Sequence, residues 1–79
     1  MSADRLAYMA NQIAGFFAPY GRDRAIEVFA DHLRKFWEPR MRHALRDRVA
    51  SGGRGLDPLV IAAAQRLGRA PAEAGGDER

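Results

Sequence analysis

Proline at position 39 constrains this chain more than any other residue, because it interrupts a stretch that otherwise carries helical spacing. The segment His32 to Arg42 reads HLRKFWEPRMR and carries four lysines or arginines, a histidine and an aromatic pair. Proline disfavours the α conformation at the residue before it and cannot donate to the preceding turn, so a helix arriving at Trp37 must stop or kink near Glu38. The same ring suits the first position of a new helix. The segment therefore predicts a corner between two helices. Phe36 and Trp37 form its hydrophobic anchor, with Lys35, Arg40 and Arg42 projecting around it.

The rest of the chain repeats the helical theme. No stretch shows sustained period-two alternation, whereas apolar residues recur at helical spacing in four segments. Over 4–18, Leu6, Met9, Ala10, Ile13, Phe16 and Phe17 share a face, with Asp4 as N-cap. Pro19 and Gly21 end that helix. Over 23–37, Ile26, Phe29, Ala30, Leu33, Phe36 and Trp37 form the next stripe, with Asp23 as cap. These two helices are expected to form an αα-hairpin through Ile13, Phe17, Phe29 and Leu33. A third helix, 39–50, has the thinner stripe Met41, Ala44, Leu45 and Val49. Ser51 to Gly55 reads as a flexible connector. Asp57-Pro58 restarts the chain as N-cap and N1, and the fourth helix, 58–67, aligns Leu59, Val60, Ala63, Ala64 and Leu67. The run after Gly68 lacks large apolar side chains. The fold class is thus all-α, a four-helix domain over 1–68 with a disordered tail over 69–79.

Composition narrows the function. The 79 residues contain no cysteine, which excludes disulfides, thiolate metal sites and thiol nucleophiles. A domain of this size has a core worth only about 3–5 kcal/mol, so a partner is expected to contribute to its stability. The opening MSADR and the polar Asn11 and Gln12 fit neither a secretory signal nor a membrane span, and the cytoplasm is the default location. The net charge is +3, but residues 32–54 carry seven lysines or arginines against two acids, while the flanking thirds carry three against four each. Such a patch suits nucleic acid, an acidic protein surface or an anionic lipid, and sign alone does not choose.

No catalytic pattern is present. SGGRG lacks the preceding strand, the lysine and the helix register of a phosphate loop. His32 and His43 lie eleven residues apart with no second ligand at helical spacing, too few for a metal site. His32 borders its apolar stripe and reads as an imidazole at a helix interface. Asp23, Glu27 and Asp31 form a solvated ridge with Arg24 and Lys35 nearby. Ser2 and Ser51, the only serines, have no base beside them. Arg48 falls within the third apolar stripe, while Tyr8, Val28 and Ile61 project from polar sides. Two readings stand side by side: a snorkelling arginine and ordinary single exposed apolar residues, or a small domain with a thin core that uses one face for itself and another for a partner.

Three motifs then stand in order: MANQI at Met9 to Ile13, the HLRKFWEPRMR segment, and GLDPLV at Gly55 to Val60 after the glycine-rich loop. Over about residues 6–67 the chain resembles the small delta subunit of the cytoplasmic NAD-dependent formate dehydrogenases of bacteria. The resemblance implies a non-catalytic accessory subunit, without cofactors of its own, that helps assemble or stabilise the complex. It implies a large subunit holding bis-molybdopterin guanine dinucleotide and iron–sulfur clusters, and further subunits carrying FMN and reducing NAD. Without cysteine this chain cannot hold an iron–sulfur cluster through thiolates. Binding to the large molybdenum-containing subunit is expected at Asn11, His32, Lys35, Phe36, Trp37, Arg40, Met41 and Arg42. The alternative is a small basic helical nucleic-acid-binding protein. It is disfavoured because the basic helix starts at a proline beside a bulky tryptophan rather than free to enter a groove.

Overall fold

The computed structural model describes residues 2–68, and the expected tail over 69–79 lies outside them. Four α-helices follow one another: α1 Ala3–Phe17, α2 Arg22–Phe36, α3 Pro39–Ala50 and α4 Pro58–Leu67, with a 3₁₀ turn at Ala18–Tyr20. There is no strand among the described residues. The all-α class and the four helices stand as read, with the first two displaced by one residue at each end.

Two helix starts differ from expectation for identifiable reasons. The N-cap of α1 is Ser2, not Asp4: the Arg5 N–H donates to Ser2 Oγ at 3.1 Å. Asp4 lies in the first turn, where its charge meets the positive end of the helix dipole. The N-cap of α2 is Gly21, not Asp23, with no side-chain capping bond. Gly21 has φ 91°, a left-handed conformation that glycine adopts without a Cβ penalty, and it lets the chain reverse after the 3₁₀ turn. The other starts follow the proline rule. Pro39 and Pro58 open α3 and α4, and the Leu59 N–H donates to Asp57 Oδ1 at 2.9 Å. Trp37, extended at φ −95° and ψ 135°, ends α2 before the proline.

The core gathers Leu6, Ala7, Ala10 and Ala14 of α1, Ala25, Phe29, Ala30 and Leu33 of α2, and Leu59, Val60, Ala63 and Ala64 of α4, closed by Trp37, Leu45 and Leu56. The Phe17 ring lies 5.6 Å from Phe29, and Ile13 packs against the core, but α2 makes its most extensive contact with α4 rather than α1. Alanines on both helices let them approach closely. As the thin stripe implied, α3 fully buries only Leu45.

Three members of the expected stripes are outside, the small Ala44 of α3 and two large aromatics. Phe16 is 76% exposed and Phe36 72% exposed. Each helical residue turns the side chain about 100° around the axis. With Leu6, Ala10 and Ala14 facing inward, Phe16 swings toward solvent while Phe17 stays against α2. Trp37 leaves the helix and enters the core in place of Phe36.

Candidate interaction surface

The eight residues expected to bind a partner, seven at the corner and Asn11 on α1, take different positions. Lys35, Phe36 and Arg40 are exposed, His32, Met41, Arg42 and Asn11 are half-buried, and Trp37 is buried. Lys35 forms an i,i+4 ion pair with Asp31 at 3.0 Å. Arg42 Nη1 donates to the Arg34 carbonyl at 3.0 Å, fastening α3 to the last turn of α2, where unpaired carbonyls and the negative dipole end favour a cation. Arg40 and Met41 line a recess of about 250 Å³ with Ser2, Ala3, Leu6 and Ala44.

Around His32 the aromatic side chains form a continuous ladder. The imidazole lies 4.9 Å from the Phe36 ring and 5.7 Å from Phe17, and Phe17 meets Tyr20 edge-on at 6.0 Å. Phe17 in turn rests on buried Phe29, so the ladder is anchored to the core while Tyr20 and Phe36 remain open to solvent. Rings at these separations hold one another in defined orientations. Such a ladder can present a preformed apolar face to another protein. Sequence reasoning found His32 and Phe36 but assigned Phe17 to the core and passed over Tyr20. The available signal was an aromatic held between Pro19 and Gly21, in a turn with no apolar stripe of its own.

Asn11 belongs to a different arrangement. Its Nδ2 donates to the Gly55 carbonyl at 2.8 Å and its Oδ1 accepts from the Asp57 N–H at 2.8 Å. The motifs around Met9 to Ile13 and Gly55 to Val60 thus meet in space. Arg48 grips the same loop: its Nε donates to the Arg54 carbonyl at 2.8 Å, while Nη2 reaches Asp4 at 3.3 Å. The loop's own amides are also engaged, Gly53 with the Arg48 carbonyl and Leu56 with the Gly53 carbonyl. The connector is therefore fastened rather than loose, and these amides are turned to the chain's own acceptors, unlike those of a phosphate cradle. Ile61, expected on a polar side, is half-buried where the loop crosses α4, near Gly53.

Among the described residues, no group of three or more histidines and carboxylates could hold a metal ion. No helix there is long and apolar enough to cross a membrane. A family model described as the NADH-dependent formate dehydrogenase delta subunit FdsD matches residues 5–64. No match is found among curated proteins or among solved structures.

Proposed function

The chain belongs to the family of NADH-dependent formate dehydrogenase delta subunits, and from that premise we propose that it is a non-catalytic accessory subunit that stabilises or helps assemble the enzyme. The partner in this reading is the large subunit carrying bis-molybdopterin guanine dinucleotide and iron–sulfur clusters, in a complex whose other subunits hold FMN and bind NAD in the cytoplasm. This chain contributes no cofactor ligand; it contributes surface. The observation that carries the reading is the aromatic ladder from Tyr20 to Phe36, held on the core yet left open on a domain with so little core of its own. At the corner, Lys35, Phe36 and Arg40 would touch the partner, with His32, Met41 and Arg42 beneath them. Trp37 and Asn11 would support the surface from within.

The nucleic-acid alternative draws on the same basic middle third, part of which is already engaged. Arg48 pairs with Asp4, Lys35 with Asp31, and Arg42 holds a backbone carbonyl. Affinity purification from the native host separates the two readings. Recovery of the large molybdenum subunit supports the accessory role. Recovery of nucleic acid alone, lost as salt is raised, replaces it with the alternative.

A further inference from the structure

Helix α1 packs Leu6, Ile13 and Phe17 inward yet leaves two further large aromatic side chains on its outer face. Its buried face is mostly alanine, Ala7, Ala10 and Ala14 beside Leu6, while Tyr8 is 64% exposed and Phe16 is 76% exposed on the outer face. From Leu6 to Phe17 the helix carries no charged residue, on either face. That uncharged length spans about 18 Å at the usual helical rise. A surface helix normally turns charged residues to water, and here the outer face past the first turn offers only Gln12 between two aromatics. Gln12, the polar residue between the two aromatics, donates its Nε2 to the Tyr8 hydroxyl at 2.8 Å rather than standing free.

Gly15 is the second, independent sign. It lies inside α1 on the same exposed face, has no positive φ to justify it, and a Cβ placed there would meet nothing within 4 Å. A glycine in a helix interior costs roughly 0.5–1 kcal/mol relative to alanine, and nothing in this chain's own packing requires it. With no side chain there, the helix backbone next to Phe16 is open, and a neighbouring backbone or side-chain ridge can approach it closely.

We propose that the outer face of α1, formed by Tyr8, Gln12, Gly15 and Phe16, docks on an uncharged apolar ridge of another subunit of the formate dehydrogenase. This rests on the accessory-subunit reading above and names the face and the partner chemistry within it. Charge matching selects that occupant. Phosphates or an acidic protein surface would find no cation along the face beyond Arg5, whereas an uncharged apolar ridge loses no ion solvation there. Centres of protein interfaces are likewise depleted in charge and enriched in aromatics, with charges at the rim. The basic corner around Arg40 then serves as rim rather than centre.

Gly15→Gln tests the face without endangering the fold, because glutamine is a better helix former and adds no charge. Tyr8→Ser with Phe16→Ser, both at exposed positions, provides a second variant. Each full-length chain is titrated against the remaining subunits of the enzyme, with thermal melting and sedimentation of the chain alone alongside. The expected result is association weakened about tenfold or more for both variants, with the Gly15→Gln melting temperature unchanged or raised. Wild-type association with variants that bind equally well overturns the docking face and leaves the accessory role standing. No association by the wild type overturns both. A wild-type chain that dimerises through this face, with variants that lose the dimer but still join the enzyme, reassigns the face to a second copy and overturns the proposal.

Discussion

Asn11 and Asp57, forty-six residues apart, are joined by a 2.8 Å hydrogen bond from the Asp57 N–H to the Asn11 side-chain oxygen. Asp57 simultaneously caps α4 by accepting from the Leu59 N–H. The start of the last helix is therefore positioned by a side chain of the first. Asn11 completes the clasp by donating to Gly55.

Removing that clasp should be felt as stability. Asn11→Ala deletes both bonds to the loop, and at about 0.5–1.5 kcal/mol per bond the loss is roughly 1–3 kcal/mol. For so small a domain each kcal/mol lowers the melting temperature by about 4–8 °C. Thermal denaturation followed by circular dichroism measures it. A melting point unmoved by the substitution, together with weakened partner binding, would return Asn11 to the role of a direct contact.

The two aromatics of the corner should behave in opposite ways. Trp37 is 6% exposed, so Trp37→Ala opens a cavity and should cost about 3–5 kcal/mol, comparable with the entire stability of such a domain. Phe36→Ala removes an exposed ring and should change stability by less than about 0.5 kcal/mol. Urea denaturation of both variants checks the contrast. Equal losses would mean that Phe36 is packed more closely than its exposure indicates.

What separates these neighbours was only partly legible in the sequence. Pro39, Asp57-Pro58 and the glycine cluster act on adjacent residues, so the helix order and the turn at Trp37 could be read locally. Which side of each helix faces inward depends on all its neighbours together. Phe16 and Phe17 are equally apolar and adjacent, and only packing against Phe29 decides that Phe17 turns inward. The starts of α1 and α2 shifted because Ser2 and Gly21 outcompeted nearby aspartates for the cap, through side-chain reach in one case and a left-handed backbone in the other. The binding role expected of Asn11 rested on motif alone; its bonds to Gly55 and Asp57 span too much chain to be seen without the fold.

Arg40 and Arg42, two residues apart, should also part company. Arg42 donates to the Arg34 carbonyl from a half-buried position, so Arg42→Ala should destabilise the chain by about 0.5–1.5 kcal/mol. Arg40 is exposed and has no ion pair among the described residues, and Arg40→Ala should leave stability nearly unchanged while weakening association in a salt-dependent way. Pull-down of the complex at two salt concentrations, read beside the melting curve of each variant, distinguishes a rim contact from an internal fastening. If Arg40→Ala associates normally at both salts, the corner takes no part in recognition.

Partner binding should raise the stability of the whole domain, because its own resources are thin. Helix α3 fully buries only Leu45, α1 fills its inner face largely with alanine, and the surface ion pairs Lys35 with Asp31 and Arg66 with Glu27 are solvent-exposed and individually worth little. A partner that binds the folded chain and not the unfolded one adds about 2.7 kcal/mol when present at a hundred times its dissociation constant. On a domain of this size that corresponds to a melting temperature higher by about 11–22 °C. The expected result is a melting transition of the delta chain that climbs with the concentration of the remaining enzyme subunits, followed by a label on this chain alone. The climb should be reduced by Gly15→Gln even though that variant melts no lower by itself. A chain that melts high on its own, with a transition indifferent to the other subunits, would show that its fold is self-sufficient and would remove the physical basis for a dependent accessory subunit.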